Sequence, residues 1–246
     1  VGRISTVNNN GANGGTGLKF TASTFNNSSS NTTGSRTLIL GGSNTDANEI
    51  SGAIVDNLGA GATNNLTKAG FGRWILSGSN SYTGQTTVSA GSFIISSTGS
   101  IAAASAVSVA SSAAIGGDGT INGNLTLTNG ARLVFDLNNT PLTVGGTFSL
   151  DSSFSVASLV AATLTPIDWS TTPLGTYSLI GTTTVFNAGN IQNFGVANAF
   201  VSGGRQVYFE NGSLNLVVAV PEPSTWTLLA FGVATILVVL RRRCQT

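Results

Sequence analysis

Apolar residues along this chain come in short bursts, each stopped by a turn. Leu38-Ile39-Leu40, Trp74-Ile75-Leu76, Ala106-Val107-Ser108-Val109, Ala113-Ala114-Ile115, Leu125-Thr126-Leu127 and Leu133-Val134-Phe135 are such bursts. Between them stand Gly41-Gly42-Ser43-Asn44, Gly116-Gly117-Asp118-Gly119, Asn122-Gly123-Asn124 and Asn129-Gly130. No 3.6-residue period runs through this region, so the pattern predicts many short strands joined by tight corners. Gly and Asn suit those corners because both tolerate positive φ. Alternation continues through Leu142, Val144, Phe148, Leu150, Phe154 and Val156, and a less regular loop containing Trp169 follows. Longer strands are predicted at Tyr177-Ser178-Leu179-Ile180, Arg205-Gln206-Val207-Tyr208-Phe209 and Leu214-Asn215-Leu216-Val217-Val218, suited to closing the end of a strand stack. Residues 1–35, rich in Asn, Ser, Thr and Gly around Phe20 and Phe25, predict an irregular part or the remains of an incomplete coil.

One internal similarity stands out. Leu38-Ile39-Leu40-Gly41-Gly42-Ser43-Asn44 aligns with Trp74-Ile75-Leu76-Ser77-Gly78-Ser79-Asn80 at an offset of about 36 residues. Strands this short bury an apolar face only by stacking on neighbouring copies, the economy of a solenoid.

The pattern changes at the C-terminal end. Pro221-Glu222-Pro223 breaks any helix that approaches from the body, and Ser224 to Leu240 carries no charge. That run is about 17 residues, roughly 25 Å as a helix, at the short end of what crosses a bilayer. Arg241, Arg242 and Arg243 follow and would hold that end at cytoplasmic headgroups. A buried helix or a permanent tail anchor is the alternative.

Two resemblances follow from these residues. Pro221-Glu222-Pro223-Ser224, a hydrophobic segment and an Arg cluster at the chain end resemble the PEP-CTERM protein-sorting signal of exported bacterial proteins. The resemblance implies recognition by an exosortase-type membrane protease, with cleavage near Pro223. The stretch from Leu66 to Gly91 resembles the autotransporter-associated β-strand repeat. Its signature positions here are Leu66, Thr67, Lys68, Gly70, Gly72, Leu76, Gly78, Asn80, Tyr82, Gly84 and Gly91. Asn48 to Asp56 is similar to the usual approach to such a unit. The resemblance implies a right-handed parallel β-helix and a surface-exposed stalk. A classical autotransporter would end in a membrane barrel of alternating aromatic strands, whereas this chain ends in a helix signal, so self-transport is not expected.

Composition narrows the chemistry. Among 246 residues there are 32 Gly, no His, no Met and one Cys, and 8% are charged. Without a Met at position 1, Val1 is not expected to be the natural start, and a preceding segment is expected. The net charge of +1 misleads: setting aside the three tail arginines and Glu222 leaves seven basic and eight acidic residues, about −1. Nucleic acid is therefore not an expected partner. Cys244 lies beyond the apolar run, so the body has no disulfide.

Absence of His removes the Ser-His-Asp and Cys-His constellations and most transition-metal sites. Carboxylate pairs, as in polysaccharide-cleaving β-helices, remain as Asp46 with Glu49 and Asp136 with Asp151, against a reading of all four as turn-forming acids. Gly41-Gly42-Ser43-Asn44-Thr45-Asp46 resembles one degraded calcium nonapeptide, but such sites need stacked copies. Trp74, Tyr82, Phe93 and Trp169 are candidates for a sugar-stacking face or for core.

These readings together predict an all-β protein, a right-handed parallel β-helix with one C-terminal transmembrane α-helix at about 225–240. Its parts are 1–35 irregular, 36–130 β-helix with the repeat, 131–219 further strands and cap, and 220–246 sorting signal. The expected role is a non-enzymatic exported surface or extracellular-matrix protein, structural or adhesive, with no cofactor and no metal. The membrane, an exosortase-type protease and, as a candidate, exopolysaccharide are its partners. Alternatives are a polysaccharide-active β-helix enzyme with its catalytic part elsewhere, and a permanently anchored surface protein.

Overall fold

The computed structural model describes residues 3–15, 17–25, 34–56, 61–137, 140–150, 154–182, 191–210 and 214–221. Within them the regular structure is strand, plus two short 3-10 turns. Most strands belong to parallel sheets built from successive coils, an architecture consistent with a β-solenoid.

Face one stacks seven strands: Arg3–Asn9, Arg36–Gly42, Asn64–Lys68, Thr86–Val88, Val107–Val109, Leu125–Leu127 and Phe148–Leu150. Face two also stacks seven, from Lys19–Phe20 through Asn48–Ile50, Arg73–Leu76, Ser92–Ile95, Ala114–Gly117 and Arg132–Val134 to Leu159–Val160. Face three is interrupted. Thr24–Phe25 pairs with Ala53–Ile54, and a separate sheet runs Ser100–Ile101, Thr120–Ile121, Leu142–Val144, Ile180–Thr182.

Alternation decides which side chains face inward. On face one, Leu38, Leu66, Thr86, Val107, Leu125 and Phe148 form one buried row. Two positions on, Leu40, Lys68, Val88, Val109, Leu127 and Leu150 form another. On face two the buried row is Asn48, Trp74, Phe93, Ile115, Leu133 and Leu159. Each side chain therefore packs on its counterparts one coil up and one coil down, and the core is a column.

The register corrects the offset of about 36. Leu38 pairs with Leu66 and Trp74 pairs with Asn48, steps of 28 and 26 residues. Leu38–Leu40 lies on face one and Trp74–Leu76 on face two, so the aligned pieces are not equivalent. Both are short apolar strands running into a Gly-Ser-Asn corner, which is why the sequence superposes them. Later steps along face one are shorter: Leu66 to Thr86, Thr86 to Val107 and Val107 to Leu125.

Residues 3–25, expected as irregular or as an incomplete coil, supply a strand to each face. Asn-rich sequence does not prevent this, because a parallel partner at Arg36–Gly42 supplies the backbone hydrogen bonds.

Beyond the parallel stack, an antiparallel sheet runs in the order Gly175–Ser178, Asn215–Ala219, Arg205–Phe209, Phe200–Ser202. Val207, Phe209, Leu216 and Val218 are its buried side. The sheet packs into the common core, where Phe209 lies 5.8 Å from Phe154, ring centre to ring centre. The predicted transmembrane segment lies outside the described residues; among the described residues no helix is long and apolar enough to cross a membrane.

Candidate functional site: the repeat corners and the sorting tail

The repeat signature maps onto corners and core. Leu66 and Leu76 are fully buried. Thr67 sits on the outer side of face one, in register with Thr87. Gly70 has φ +69°, and a Cβ there would lie 2.4 Å from the Gly42 carbonyl oxygen of the coil below. Gly72, Gly78, Gly84 and Gly91 likewise lie where backbone of a preceding coil leaves no room for a side chain. Coils touch through their backbones at these corners, so the signature glycines are requirements of stacking.

Lys68 is the unusual member. Its side chain enters the core column between Leu40 and Val88 and is 0% exposed. The ammonium donates to the carbonyls of Ala69 at 2.9 Å, Gly70 at 2.8 Å and Ala90 at 2.9 Å. Those three bonds use all its donors and tie the corner after face one to the same corner one coil on. Burial without a carboxylate partner pushes its pKa down to about 8.

Two buried asparagines each join three coils. Asn48 accepts from Asn9 Nδ2 at 2.6 Å and from the Leu18 N–H at 2.9 Å, and donates to the Arg73 carbonyl at 2.9 Å. Asn80 accepts from the Ile54 N–H at 2.9 Å and donates to the carbonyls of Gly78 at 2.8 Å and Ser100 at 2.9 Å. Asn80 thus reinforces face three where its coil contributes only the isolated bridge between Ser79 and Ser100. Asn80 was legible from the motif. Asn48 was not, although its place at an alternating inward position was a signal. Tyr82 is also buried, and its hydroxyl is 2.6 Å from Thr86 Oγ1, which is 2.9 Å from Ser105 Oγ. Burial raises the Tyr82 pKa well above its ordinary value.

The alternative chemical sites come apart. Trp74, Tyr82, Phe93 and Trp169 are all buried, so they present no sugar-stacking face. Trp74 donates Nε1–H to the Gly41 carbonyl at 2.9 Å and stacks on Phe20 at 6.2 Å. Phe71, between two signature glycines, is instead 76% exposed. Asp46 accepts from the N–H groups of Gly14 at 3.0 Å and Gly15 at 3.2 Å and from Asn44 Nδ2 at 3.1 Å, which hold its pKa below the usual range. Glu49 is paired with Lys19 at 2.8 Å and accepts from the Ser77 hydroxyl, and both hold its pKa down. These two carboxylates act as turn and coil ties. Asp151, the proposed partner of Asp136, lies outside the described residues. Around the calcium-like stretch, Asn10 and Asn13 accept from the N–H groups of Ser43 and Thr45. Among the described residues no group of three His, Cys, Asp or Glu side chains could hold a metal ion. A cavity of about 160 Å³ outside face two is lined by Arg73, Ile75, Ile94, Val134 and Asp136 among others, with Arg73 Nε unbonded and no imidazole or thiol in its wall.

The body hands over to the tail at the antiparallel sheet. Asn215–Ala219 is a central strand of that sheet, and Val220 and Pro221 leave it. Of the sorting residues Pro221 is described; Glu222, Pro223, Ser224, Arg241, Arg242 and Arg243 lie outside the described residues.

Comparison with known families agrees with both resemblances. The Passenger-associated-transport-repeat family matches residues 66–95, and the PEP-CTERM protein-sorting motif matches residues 219–243. No curated protein and no solved structure matches the chain. The first match spans the Lys68 and Asn80 corners, and the second runs from the last residue of the final strand through the three arginines. A PEP-CTERM motif implies export, association with the membrane and processing by an exosortase. The chain is a protein with a passenger-associated-transport repeat in its parallel stack and a PEP-CTERM sorting motif at its end.

Proposed function

We propose that the chain is a structural or adhesive protein of the cell surface or extracellular matrix, delivered by its C-terminal signal and not an enzyme. The body is a right-handed parallel β-helix, and residues of about 225–240 form a transmembrane helix until the signal is processed. Parallel strand connections are almost always right-handed, which supports the handedness. The observation that carries the reading is the match to the sorting motif beginning at Ala219, where the last strand of the body ends. A helix satisfies its own backbone, so this uncharged run is suited to lipid, and the arginines are suited to its cytoplasmic border. Support for a passive body comes from its acids and aromatics: Asp46 and Glu49 are spent on turns, and Trp74, Tyr82 and Phe93 on the core.

Mass spectrometry of the mature C-terminus from the native host tests this. The expected product ends near Pro223 and lacks Arg241-Arg242-Arg243. An intact arginine end would overturn processing and leave a permanent anchor.

A further inference from the structure

Nine large apolar side chains are exposed among the described residues, and five of them lie between 174 and 220, where the chain leaves for the sorting tail. They are Leu174, Val196, Phe200, Val201 and Val220, exposed by 54%, 58%, 38%, 63% and 57%. Strand register brings three of them to one end of the antiparallel sheet. Val201 pairs with Gln206, and Gln206 with Ala219. Leu174 immediately precedes Gly175, which pairs with Val218, so it falls beside Ala219. Val220 is the first residue beyond that central strand, at the same end of the sheet. Because Val207 and Val218 face the core, Val201, Gln206 and Ala219 face away from it.

We propose that this apolar edge is a lipid-docking surface, seated on the bilayer face while the tail is inserted. The inference rests on the membrane reading of the tail given above. Its argument is reach. Ser224, where the uncharged run starts, is four residues beyond Val220, at most about 14 Å of fully extended chain. An inserted tail therefore holds Val220, and with it Val201 and Leu174, within one short tether of the headgroups. An apolar edge at that distance gains by entering the interface, which accepts side chains to a depth of roughly 5–10 Å. Arg205, next to Gln206 in its strand, donates Nη1 to the Thr172 carbonyl and ties the adjoining loop to the sheet. A guanidinium is compatible with the headgroup layer. Docking would fix the orientation of the body and place the Pro221-Glu222-Pro223 stretch at the membrane surface, where a membrane protease acts.

The test uses the full chain with Cys244→Ser, reconstituted into phosphatidylcholine vesicles carrying doxyl-labelled acyl chains. Single cysteines for an environment-sensitive fluorophore are introduced by Val201→Cys, Ala234→Cys or Ala12→Cys. Ala12 is exposed and belongs to the first coil, at the far end of a seven-strand stack about 29 Å long. The expected result is strong quenching at 234, quenching at 201 at least about twofold above that at 12, and none beyond background at 12. Quenching at 234 with 201 no different from 12 would overturn the docking surface and leave the tail reading intact. No quenching at 234 would overturn the tail reading and the docking with it. Equal quenching at all three sites would mean that the body adheres without orientation, and would also overturn the proposal.

Discussion

The parallel stack and the antiparallel sheet at its end bury apolar side chains by different means. In the stack the inward side chains of each strand meet counterparts a full coil away in sequence, whatever the strand's length. Val88, for example, lies between Lys68 and Val109. Corners must then be thin and polar ties must cross coils, hence the glycines and Asn48, Asn80 and Lys68. In the antiparallel sheet the strands at Arg205–Phe209 and Asn215–Ala219 are five residues each and pair with close sequence neighbours. That sheet needs no cross-coil amide, and its buried side is wholly apolar at Val207, Phe209, Leu216 and Val218. The lesson is that buried polar groups mark where the chain depends on neighbouring coils.

Four changes break or sharpen this contrast. Trp74→Ala removes a fully buried ring and its bond to Gly41, and should cost about 3–5 kcal/mol. Hydrogen exchange should show lost protection in the coils above and below, whereas Phe209→Ala, of similar cost, should loosen mainly the antiparallel sheet. Identical exchange maps for the two variants would erase the distinction.

Gly70→Ala comes next. The added Cβ meets a backbone oxygen and must adopt positive φ, so a loss of about 1–3 kcal/mol is expected in urea unfolding. Gly204→Ala near the antiparallel sheet has positive φ but open space, and should lose less.

Lys68 supplies a pH test. Its folded pKa of about 8 is lower than its ordinary value of 10.5, so between those limits the unfolded chain binds more protons. Stability should therefore rise with pH from about 8 towards 10.5, and the burial penalty is fully present below 8. Lys68→Met removes this slope. Denaturant midpoints at pH 7 and 9.5 compare the two proteins, and parallel changes in both would refute the assignment.

Asp46→Asn should have the smallest effect. The Asp46 pKa is held below 3.8, so its contribution is present above pH 3.8 and is lost as pH falls through the lower folded value. Thermal midpoints of variant and parent should converge as pH falls well below the ordinary value of 3.8.

How much of this was readable from the chain depends on the residue. The signature from Leu66 to Gly91 announced stacked strands, and Pro221-Glu222-Pro223 with Arg241-Arg242-Arg243 announced the tail, because both are ordered motifs. Register was not readable: Leu38–Leu40 and Trp74–Leu76 look alike yet lie on different faces, since any short apolar strand before a Gly-Ser-Asn corner has the same local pattern. Lys68 was recognisable as a signature residue, but nothing local says that it points into the core. Asn48 carried only its alternating place beside Ile50, and its burial and that of the aromatics are decided by coils about 20 residues away.

Asn80 carries a consequence for how such a protein can change length. Its amide is bonded to the chain 26 residues earlier and 20 residues later. Excising the coil that contains it would leave the Ile54 amide hydrogen and the Ser100 carbonyl facing each other across a missing spacer. Growth or shrinkage of this region by whole turns must therefore carry an equivalent amide along with the strands, making the corner residue part of the inherited module.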